Sequence, residues 1–184
     1  MLHFLPMTDV VLVDENDNEI GTMEKIEAHR NGGRLHRAFS IFVFNHDGLF
    51  LLQLRARRKY HAGGLWTNTT CSHPLPGEDV LSAAHRRLKE EMGFDTDLEE
   101  LFSFIYRADV GNGLTEYEYD HVLVGVYDGS ISPNPGEADG YALVRWDWLK
   151  EDVKKHPDVY TPWFRKIMEN VGPIDDWLHR QGLL

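Results

Sequence analysis

The stretch SHPLPGEDVLSAAHRRLKEEMGF, residues 72–94, decides the fold because it contains one amphipathic helix with an ordered set of charges. Its apolar positions are Leu81, Ala84, Leu88 and Met92. Residues at this spacing lie along one face of an α-helix, and a glycine directly after them is a common helix terminator. The sequence therefore predicts an amphipathic helix over residues 78–92, ended by Gly93.

The charges of this helix are also ordered. Arg86 lies four residues before Glu90, and Arg87 lies four residues before Glu91, so each pair lies along one side of the helix. Taken alone, such pairs are typical of a solvent-exposed face stabilised by ion pairs. A functional interpretation needs support from the rest of the chain.

Strand-like sequences surround the helix on both sides. They cover Asp9–Val13, Glu19–Met23, Arg37–Phe44, Leu49–Leu54, Leu101–Tyr106 and Glu116–Gly125. Turn sequences at residues 45–48 and 111–113 predict hairpins between neighbouring strands. The C-terminal third predicts three helices, over Trp146–Lys155, Thr161–Asn170 and Ile174–Gln181. Strands interleaved with helices imply an α/β sandwich with a mixed sheet.

Length and composition favour one globular domain. The chain has 184 residues, 42% of them hydrophobic, and neither a linker-like segment nor a repeat divides it. We expect a single domain over residues 1–184, with residues 1–9 as an N-terminal extension and the C-terminal helices starting at about residue 146. The sequence leaves open whether the extension or the C-terminal helices cover a site.

Charge and cysteine content exclude several classes of protein. Acidic residues outnumber basic ones by 30 to 19, and the formal net charge of -11 disfavours a nucleic-acid or anionic-membrane surface. No apolar run approaches the ~20 residues of a membrane span, and the start lacks a signal-peptide pattern. One cysteine excludes both an internal disulfide and a four-cysteine zinc site. We expect a cytoplasmic protein that is a monomer, with a dimer as the alternative.

Basic residues are concentrated in one short run. In Leu54-Arg-Ala-Arg-Arg-Lys59, four cations occupy five positions of an otherwise acidic chain. This run predicts a local anion-binding site, and the alternative is a solvated loop beside a strand.

The single cysteine lies in WTNTTCSHP, residues 66–74, two positions before His73. The residue types alone leave three interpretations of Cys71. It could be a small buried hydrophobic residue, a metal ligand or a reactive thiol.

The order of residues in the opening stretch resembles the Nudix box. The positions that match in residue type are Glu78, Arg86, Glu90, Glu91, Gly93 and Phe94, and Ser72 and Arg87 stand at two further positions of the box with its spacing. Two positions depart from the box, because Ser72 replaces its glycine and Arg87 replaces one of its glutamates. In Nudix hydrolases these glutamates hold divalent ions that activate water against a diphosphate. Replacing one of them by Arg87 removes a ligand and adds a fixed cation, which favours binding of a diphosphate over its hydrolysis.

With its flanking residues, the box resembles type 1 isopentenyl-diphosphate isomerase from Val10 through Trp163. The matching positions include Glu24-Lys25, Ala28-His29, residues 34–40, Arg55, Lys59, residues 66–68 and 71–74, Tyr106-Arg107 and Glu116-Tyr-Glu118. The resemblance implies a Nudix-type α/β/α sandwich. It also implies conversion of isopentenyl diphosphate to dimethylallyl diphosphate in isoprenoid biosynthesis.

The resemblance further implies a metal site and a catalytic pair. The implied metal ligands are His29, His36, His73, Glu116 and Glu118, a set that suits Mn²⁺, Zn²⁺ or Mg²⁺. Cys71 and Glu118 are implied as proton donor and acceptor on opposite faces of the substrate, and which of them donates first is open. Tyr106 would orient Glu118. Trp163, with Trp66 as a second candidate, would offer its ring to a carbocation.

For the diphosphate, the resemblance implies a separate set of residues. These are Lys25, Arg55, Lys59 and Arg87, together with a Mg²⁺ ion bound by Glu91. The expected partner is therefore a small prenyl diphosphate. We interpret Arg57 and Arg58 as solvated charges, and His61 as an ordinary imidazole or, alternatively, a phosphate contact.

Two other functions are compatible with the sequence. One is a Nudix hydrolase that cleaves a nucleoside or prenyl diphosphate, and Arg87 argues against it. The other is a degenerate Nudix domain that only binds a diphosphate or a metal. Cys71 and Glu118 argue against this second function, since binding alone requires neither.

Overall fold

The computed structural model describes residues 8–184, so most of the predicted N-terminal extension lies outside the described residues. The strands are β1 (Asp9–Val13), β2 (Glu19–Glu24), β3 (His36–Phe44), β4 (Leu49–Arg55), β5 (Trp66–Thr67), β6 (Thr70–Ser72), β7 (Glu99–Gly111), β8 (Leu114–Val126) and β9 (Ala138–Arg145). The helices are α1 (Lys25–His29), α2 (Val80–Met92), α3 (Trp146–Lys155), α4 (Pro162–Met168) and α5 (Gly172–Gln181). A short 3₁₀ turn, Pro157–Val159, precedes α4.

The strands form one mixed sheet with β3 near its centre. β3 runs parallel to β8 in an unbroken register from His36 opposite Glu118 to Phe44 opposite Val126. It runs antiparallel to β1, β4 and β6. β7 and β8 form a long antiparallel hairpin. The predicted mixed sheet is therefore confirmed, and β9, which pairs with β4, is a strand that the sequence analysis did not predict.

Alternate residues of β3 are buried on opposite faces of the sheet. Phe39, Ile41 and Val43 pack with α2 in one hydrophobic cluster. Phe42 and Phe44 pack in a second cluster with residues of the three C-terminal helices. Because successive side chains of a strand point to opposite faces, β3 needs helices on both sides. This arrangement is the predicted α/β/α sandwich.

Helix α2 has the predicted bounds to within two residues, but its buried face differs at one position. Ala84, Leu88 and Met92 are fully buried, as predicted. Leu81 is 43% exposed, so its assignment to the apolar stripe was wrong. The first buried residue of α2 is Ala83, and in the first turn Val80 packs against the cluster while Leu81 is exposed.

The C-terminal helices cover the sheet rather than extending into solvent. Trp177 is 4% exposed and its Nε1 donates a hydrogen bond to Glu99 Oε2 at 3.0 Å. Trp146 packs against Phe44 and Phe50, with ring centroids 5.4 Å apart in both cases. Trp177 is thus a core residue.

Candidate active site

The box helix α2 carries the predicted charge pairs. Asp79 caps its N-terminus by accepting a hydrogen bond from the backbone N–H of Ser82 at 2.9 Å. Arg86 pairs with Glu90 at 3.4 Å and also with Glu78 at 2.7 Å, and Arg87 pairs with Glu91 at 2.6 Å. Both i, i+4 pairs are present, but the Arg87–Glu91 pair is more buried than the pairs of Arg86, because Glu91 is only 3% exposed.

Gly93, the last glycine of the motif, ends α2 in the left-handed conformation with a φ of 77°. A Cβ at this position would lie 2.4 Å from the carbonyl oxygen of Ser132. Both the conformation and the close approach favour glycine. The predicted helix terminator is confirmed.

Three histidines and one glutamate converge between α1, β3, β6 and β8. The group consists of His29, His36, His73 and Glu118, and one ligand atom from each lies within 4.8 Å of all the others. His36 and Glu118 are directly opposite each other on the parallel strands β3 and β8. His36 Nε2 lies 3.2 Å from His73 Nε2, and His73 Nε2 lies 3.0 Å from Glu118 Oε1. Residues as far apart in the sequence as His29 and Glu118 thus lie together in one cluster.

The backbone orients two of these imidazoles. His29 Nδ1 lies 2.6 Å from the carbonyl oxygen of Lys25, and His36 Nδ1 lies 2.7 Å from that of Arg34. A carbonyl can only accept, so each Nδ1 carries the proton and each Nε2 presents a lone pair to the cluster. His29 Nε2 is buried without a hydrogen-bond partner. A buried nitrogen lone pair without a donor fits a divalent cation, and carbonyl-bound histidines are usual in metal sites.

Burial sets the protonation state of the histidines. Desolvation lowers the pKa of His29 to about 4 and that of His73 to about 3. Burial alone would raise the pKa of Glu118, but its contacts with His36 and His73 outweigh this effect and hold the pKa well below the ordinary value. The cluster therefore offers the neutral imidazoles of His29 and His73 and a carboxylate, which are the forms that bind metal ions.

Glu116 lies beside the cluster rather than among its four members. It shares a face of β8 with Glu118, as their spacing predicts, and both are buried. Tyr106 Oη donates to Glu116 Oε2 at 3.0 Å and also contacts Glu118 Oε2. Burial and the adjacent Glu118 carboxylate raise the pKa of Glu116 well above the ordinary value. Tyr106 thus joins the two glutamates.

His61 completes this hydrogen-bonded chain, although the sequence analysis did not select it. Its Nε2 lies 3.2 Å from Glu116 Oε1, and its ring centroid lies 5.7 Å from that of Trp163. Its Nδ1 is buried without a partner. The position of His61 next to the basic run was the only signal in the sequence.

One cavity brings together most of the predicted residues. It is lined by Lys25, Phe39, Ser40, Arg55, Lys59, Tyr60, His61, Cys71, Ser72, His73, Arg87, Glu91, Tyr106, Glu116, Glu118 and Trp163. His29 and His36 contact it through His73. Trp66 does not line this cavity, so Trp163 is the indole that faces it.

Cys71 is placed in this cavity by strand pairing. It lies on β6 directly opposite Ser40 of β3. It is a free cysteine, and burial raises the pKa of its thiol, so the protonated form is favoured. Among the described residues, it is not a member of the metal-type cluster. Cys71 also packs against the hydrophobic core, so this location fits both the buried-hydrophobic and the reactive-thiol interpretations.

Trp163 is fixed by a buried polar network. Its Nε1 donates to Thr67 Oγ1 at 2.9 Å, and Thr67 Oγ1 lies 2.9 Å from Thr161 Oγ1. The Arg55 guanidinium lies 4.8 Å from the centroid of the Trp163 ring. The indole held in this way lines the cavity, and the Arg55 guanidinium lies over its ring.

The four predicted diphosphate ligands differ in their present partners. Lys59 pairs with Glu137, and Arg87 pairs with Glu90, Glu91 and Glu137. Neither Lys25 nor Arg55 forms an ion pair with a carboxylate within residues 8–184. Burial and the repulsion of Arg55 and Arg87 lower the pKa of Lys25. Among the described residues, Lys25 and Arg55 are therefore the two predicted ligands without a carboxylate partner. Arg57 and Arg58, interpreted as solvated, are exposed.

Comparison with known proteins places the chain in a family. The sequence of residues 34–164 matches the family model of the NUDIX domain. Isopentenyl-diphosphate Delta-isomerase 2 of Aromatoleum aromaticum is 50% identical over 162 residues, which are 88% of this chain and 85% of that protein. The chain belongs to the isopentenyl-diphosphate Delta-isomerase family of NUDIX proteins. A second member of this family, from Photorhabdus laumondii, is 50% identical over 91% of this chain and 96% of its own length.

Solved structures of other proteins share the fold of this isomerase-family chain. DR0079 from Deinococcus radiodurans matches with a TM-score of 0.73 over 88% of this chain and 97% of its own, at 18% identity. A MutT NUDIX hydrolase from Burkholderia pseudomallei matches with a TM-score of 0.59 over 75% and 98%, at 20% identity. Within residues 8–184, no helix is both long and apolar enough to cross a membrane.

Proposed function

We propose that this protein converts isopentenyl diphosphate to dimethylallyl diphosphate by adding one proton to carbon and removing another. The observation that carries the proposal is that Cys71 and Glu118 line one cavity together with four cations. The names of relatives that are 50% identical over most of their length support it.

The chemistry explains why such a cavity is needed. An unactivated alkene is a very weak base, so its protonation requires a positioned acid, a base on the other side and exclusion of water. Protonation of the terminal carbon leaves a tertiary carbocation, and loss of a proton from the neighbouring methylene restores the double bond. One C–H bond forms, another breaks, and the diphosphate is unchanged. We assign the two proton transfers to Cys71 and Glu118.

Two further residues have supporting roles in this proposal. Tyr106 holds Glu118 in place through its hydroxyl group, which also donates to Glu116. Trp163 presents its ring to the carbocation, a contact worth about 2 kcal/mol when water is excluded. The hydrogen bond from Trp163 to Thr67 supports this role because it fixes the plane of the indole.

Metal ions complete the proposed site. We assign Mn²⁺, Zn²⁺ or Mg²⁺ to His29, His36, His73 and Glu118, with Glu116 as the adjacent fifth donor. An ion bound there supplies positive charge that makes Glu118 a stronger acid. We assign a Mg²⁺ ion that accompanies the diphosphate to Glu91. Lys25, Arg55, Lys59 and Arg87 would bind the phosphate oxygens.

A reduced thiol is required for this chemistry. Cys71 is free in the structure, and it would lose its proton-transfer role on oxidation. This requirement supports the proposal of a cytoplasmic protein. We propose that it acts on its small-molecule substrate as a monomer, since every residue assigned above comes from one chain.

The test is proton and phosphorus NMR of the purified protein with isopentenyl diphosphate and Mg²⁺ in D₂O. The expected result is deuterated dimethylallyl diphosphate with an intact diphosphate. Release of phosphate would instead identify a hydrolase despite Arg87. No change in either spectrum, with Mn²⁺ or Zn²⁺ also supplied, would leave only a binding function.

A further inference from the structure

Glu137 lies beside the cavity and neutralises two of the four cations assigned to the diphosphate. Its Oε2 accepts a hydrogen bond from Lys59 Nζ, and its Oε1 lies 3.4 Å from Arg87 Nη2. Its side chain is only 20% exposed, so solvent screens these ion pairs weakly. Neither the sequence pattern nor the resemblance singled out this residue.

The backbone holds Glu137 against the basic run. Its N–H donates to the carbonyl of Asn134 at 2.8 Å, and its carbonyl accepts from the N–H of Ala56 at 2.9 Å. The Arg58 guanidinium donates to the carbonyl of Pro135 in the same loop. These contacts join residues 134–137 to the segment that carries Lys59. The carboxylate of Glu137 is therefore built into the diphosphate site.

Two of the four cations are already paired with carboxylates of the chain. Glu137 pairs with Lys59 and Arg87, and Glu91 pairs with Arg87. Burial alone would raise the pKa of Glu137, but the Lys59 hydrogen bond and the charges of Lys59 and Arg87 lower it. An anion without a counter-ion must compete with Glu137 for Lys59 and Arg87. When the diphosphate carries a divalent cation, that cation can interact with the carboxylates instead.

We propose that Glu137 makes the site selective for the metal complex of the diphosphate over the metal-free anion. It does so by occupying Lys59 and Arg87 until a ligand with its own cation neutralises it. This inference rests on the proposed function in taking a diphosphate as the ligand. Glu137 is thus a specificity-determining residue that takes no part in proton transfer.

The test is isothermal titration calorimetry of the full-length protein with inorganic diphosphate. Titrations are made in Mg²⁺-free buffer and with Mg²⁺, and the metal content of each protein sample is measured. Glu137→Gln is expected to bind the metal-free anion at least about tenfold more tightly than the wild type, which is about 1.4 kcal/mol. The strengthening of binding by Mg²⁺ is expected to be correspondingly smaller in this variant.

Two controls separate charge from structure. Glu137→Asp keeps the charge and is expected to keep the wild-type preference for the Mg²⁺ complex. Glu151→Gln removes an exposed carboxylate that pairs with Lys154 on α3, and it is expected to leave diphosphate binding unchanged. Thermal unfolding of each variant checks the fold, which the main-chain contacts of residue 137 should preserve.

The result that overturns the proposal is metal-free binding by Glu137→Gln that is unchanged or weaker. Glu137 would then position Lys59 and Arg87 for the ligand instead of competing with it. Isomerisation by the wild type is measured in the same preparations. A protein that binds Mg²⁺-diphosphate but does not isomerise the substrate would refute the proposed function, while the calorimetry would still decide the role of Glu137.

Discussion

Substitution of Arg87 by alanine should destabilise the protein far more than the same change at its neighbour Arg86. Arg87 is the charge partner of Glu91, which is 3% exposed. Removing one partner of a buried ion pair leaves an uncompensated charge and costs about 3–5 kcal/mol. Glu91 keeps a hydrogen bond from Gln53 at 3.0 Å, so the lower end, about 3 kcal/mol, is expected.

The matched control is Arg86→Ala. Arg86 has a side chain 30% exposed and pairs with Glu78, which is 19% exposed. Solvent screening reduces the value of such a pair to about 1 kcal/mol or less. Both variants lose one arginine from the same helix, so the difference of about 2 kcal/mol reports the burial of the pair rather than the loss of an arginine.

Urea denaturation followed by circular dichroism measures both losses. In thermal unfolding, about 3 kcal/mol corresponds to a fall of about 6–12 °C in Tm for a chain of this size. Added Mg²⁺ should restore part of the stability of Arg87→Ala, because the cation can occupy the place of the guanidinium beside Glu91. Equal losses in the two variants, or a larger loss for Arg86→Ala, would refute the argument that the Arg87 pair is the buried one.

Three other changes test the site. Cys71→Ala should abolish isomerisation and leave the metal content measured by mass spectrometry unchanged, and substantial residual turnover would remove Cys71 from the mechanism. Tyr106→Phe should lower kcat about 100-fold with KM little changed, because it frees Glu118 from its orienting hydroxyl; an unchanged kcat would contradict this role. In metal-free protein, burial holds the pKa of His29 at about 4 and of His73 at about 3, below the ordinary 6.5 that both regain on unfolding. The unfolded state therefore binds more protons below that value, and stability should fall from pH 6.5 toward pH 4 by about 2 kcal/mol per histidine at pH 5. Urea midpoints that stay constant between pH 6.5 and pH 5 would refute the burial argument.

The sequence predicted most of the fold because its strong signals are long and periodic. The bounds of α3 agree residue for residue with the prediction, and β3 and β4 agree to within one residue. β9 was missed because its apolar residues Tyr141 and Leu143 face solvent, so the alternation that marks a half-buried strand is inverted. The helix α1 has only five residues, too few for a helical period to be visible.

Some residues of the candidate site could likewise be predicted from the sequence, and others could not. Residues that belong to a motif, such as Cys71 and Arg87, could be selected from the sequence. His61 and Glu137 could not, because each reaches the site through a loop conformation that periodicity does not report. Glu137 and Lys59 are far apart in the sequence, so the sequence does not reveal their contact. Two backbone hydrogen bonds of Glu137 hold it in the position where it contacts Lys59.

The short helix α1 connects the proposed metal site and the proposed diphosphate site through a single turn. Lys25 begins the helix, His29 ends it, and the Nδ1 of His29 bonds to the carbonyl of Lys25. A helix of this length has little stability of its own, so its order depends on what its ends bind. A metal ion bound at His29 and an anion bound at Lys25 would each stabilise the same five residues. The two proposed ligands would then be coupled, and each should raise the affinity for the other without contact between them.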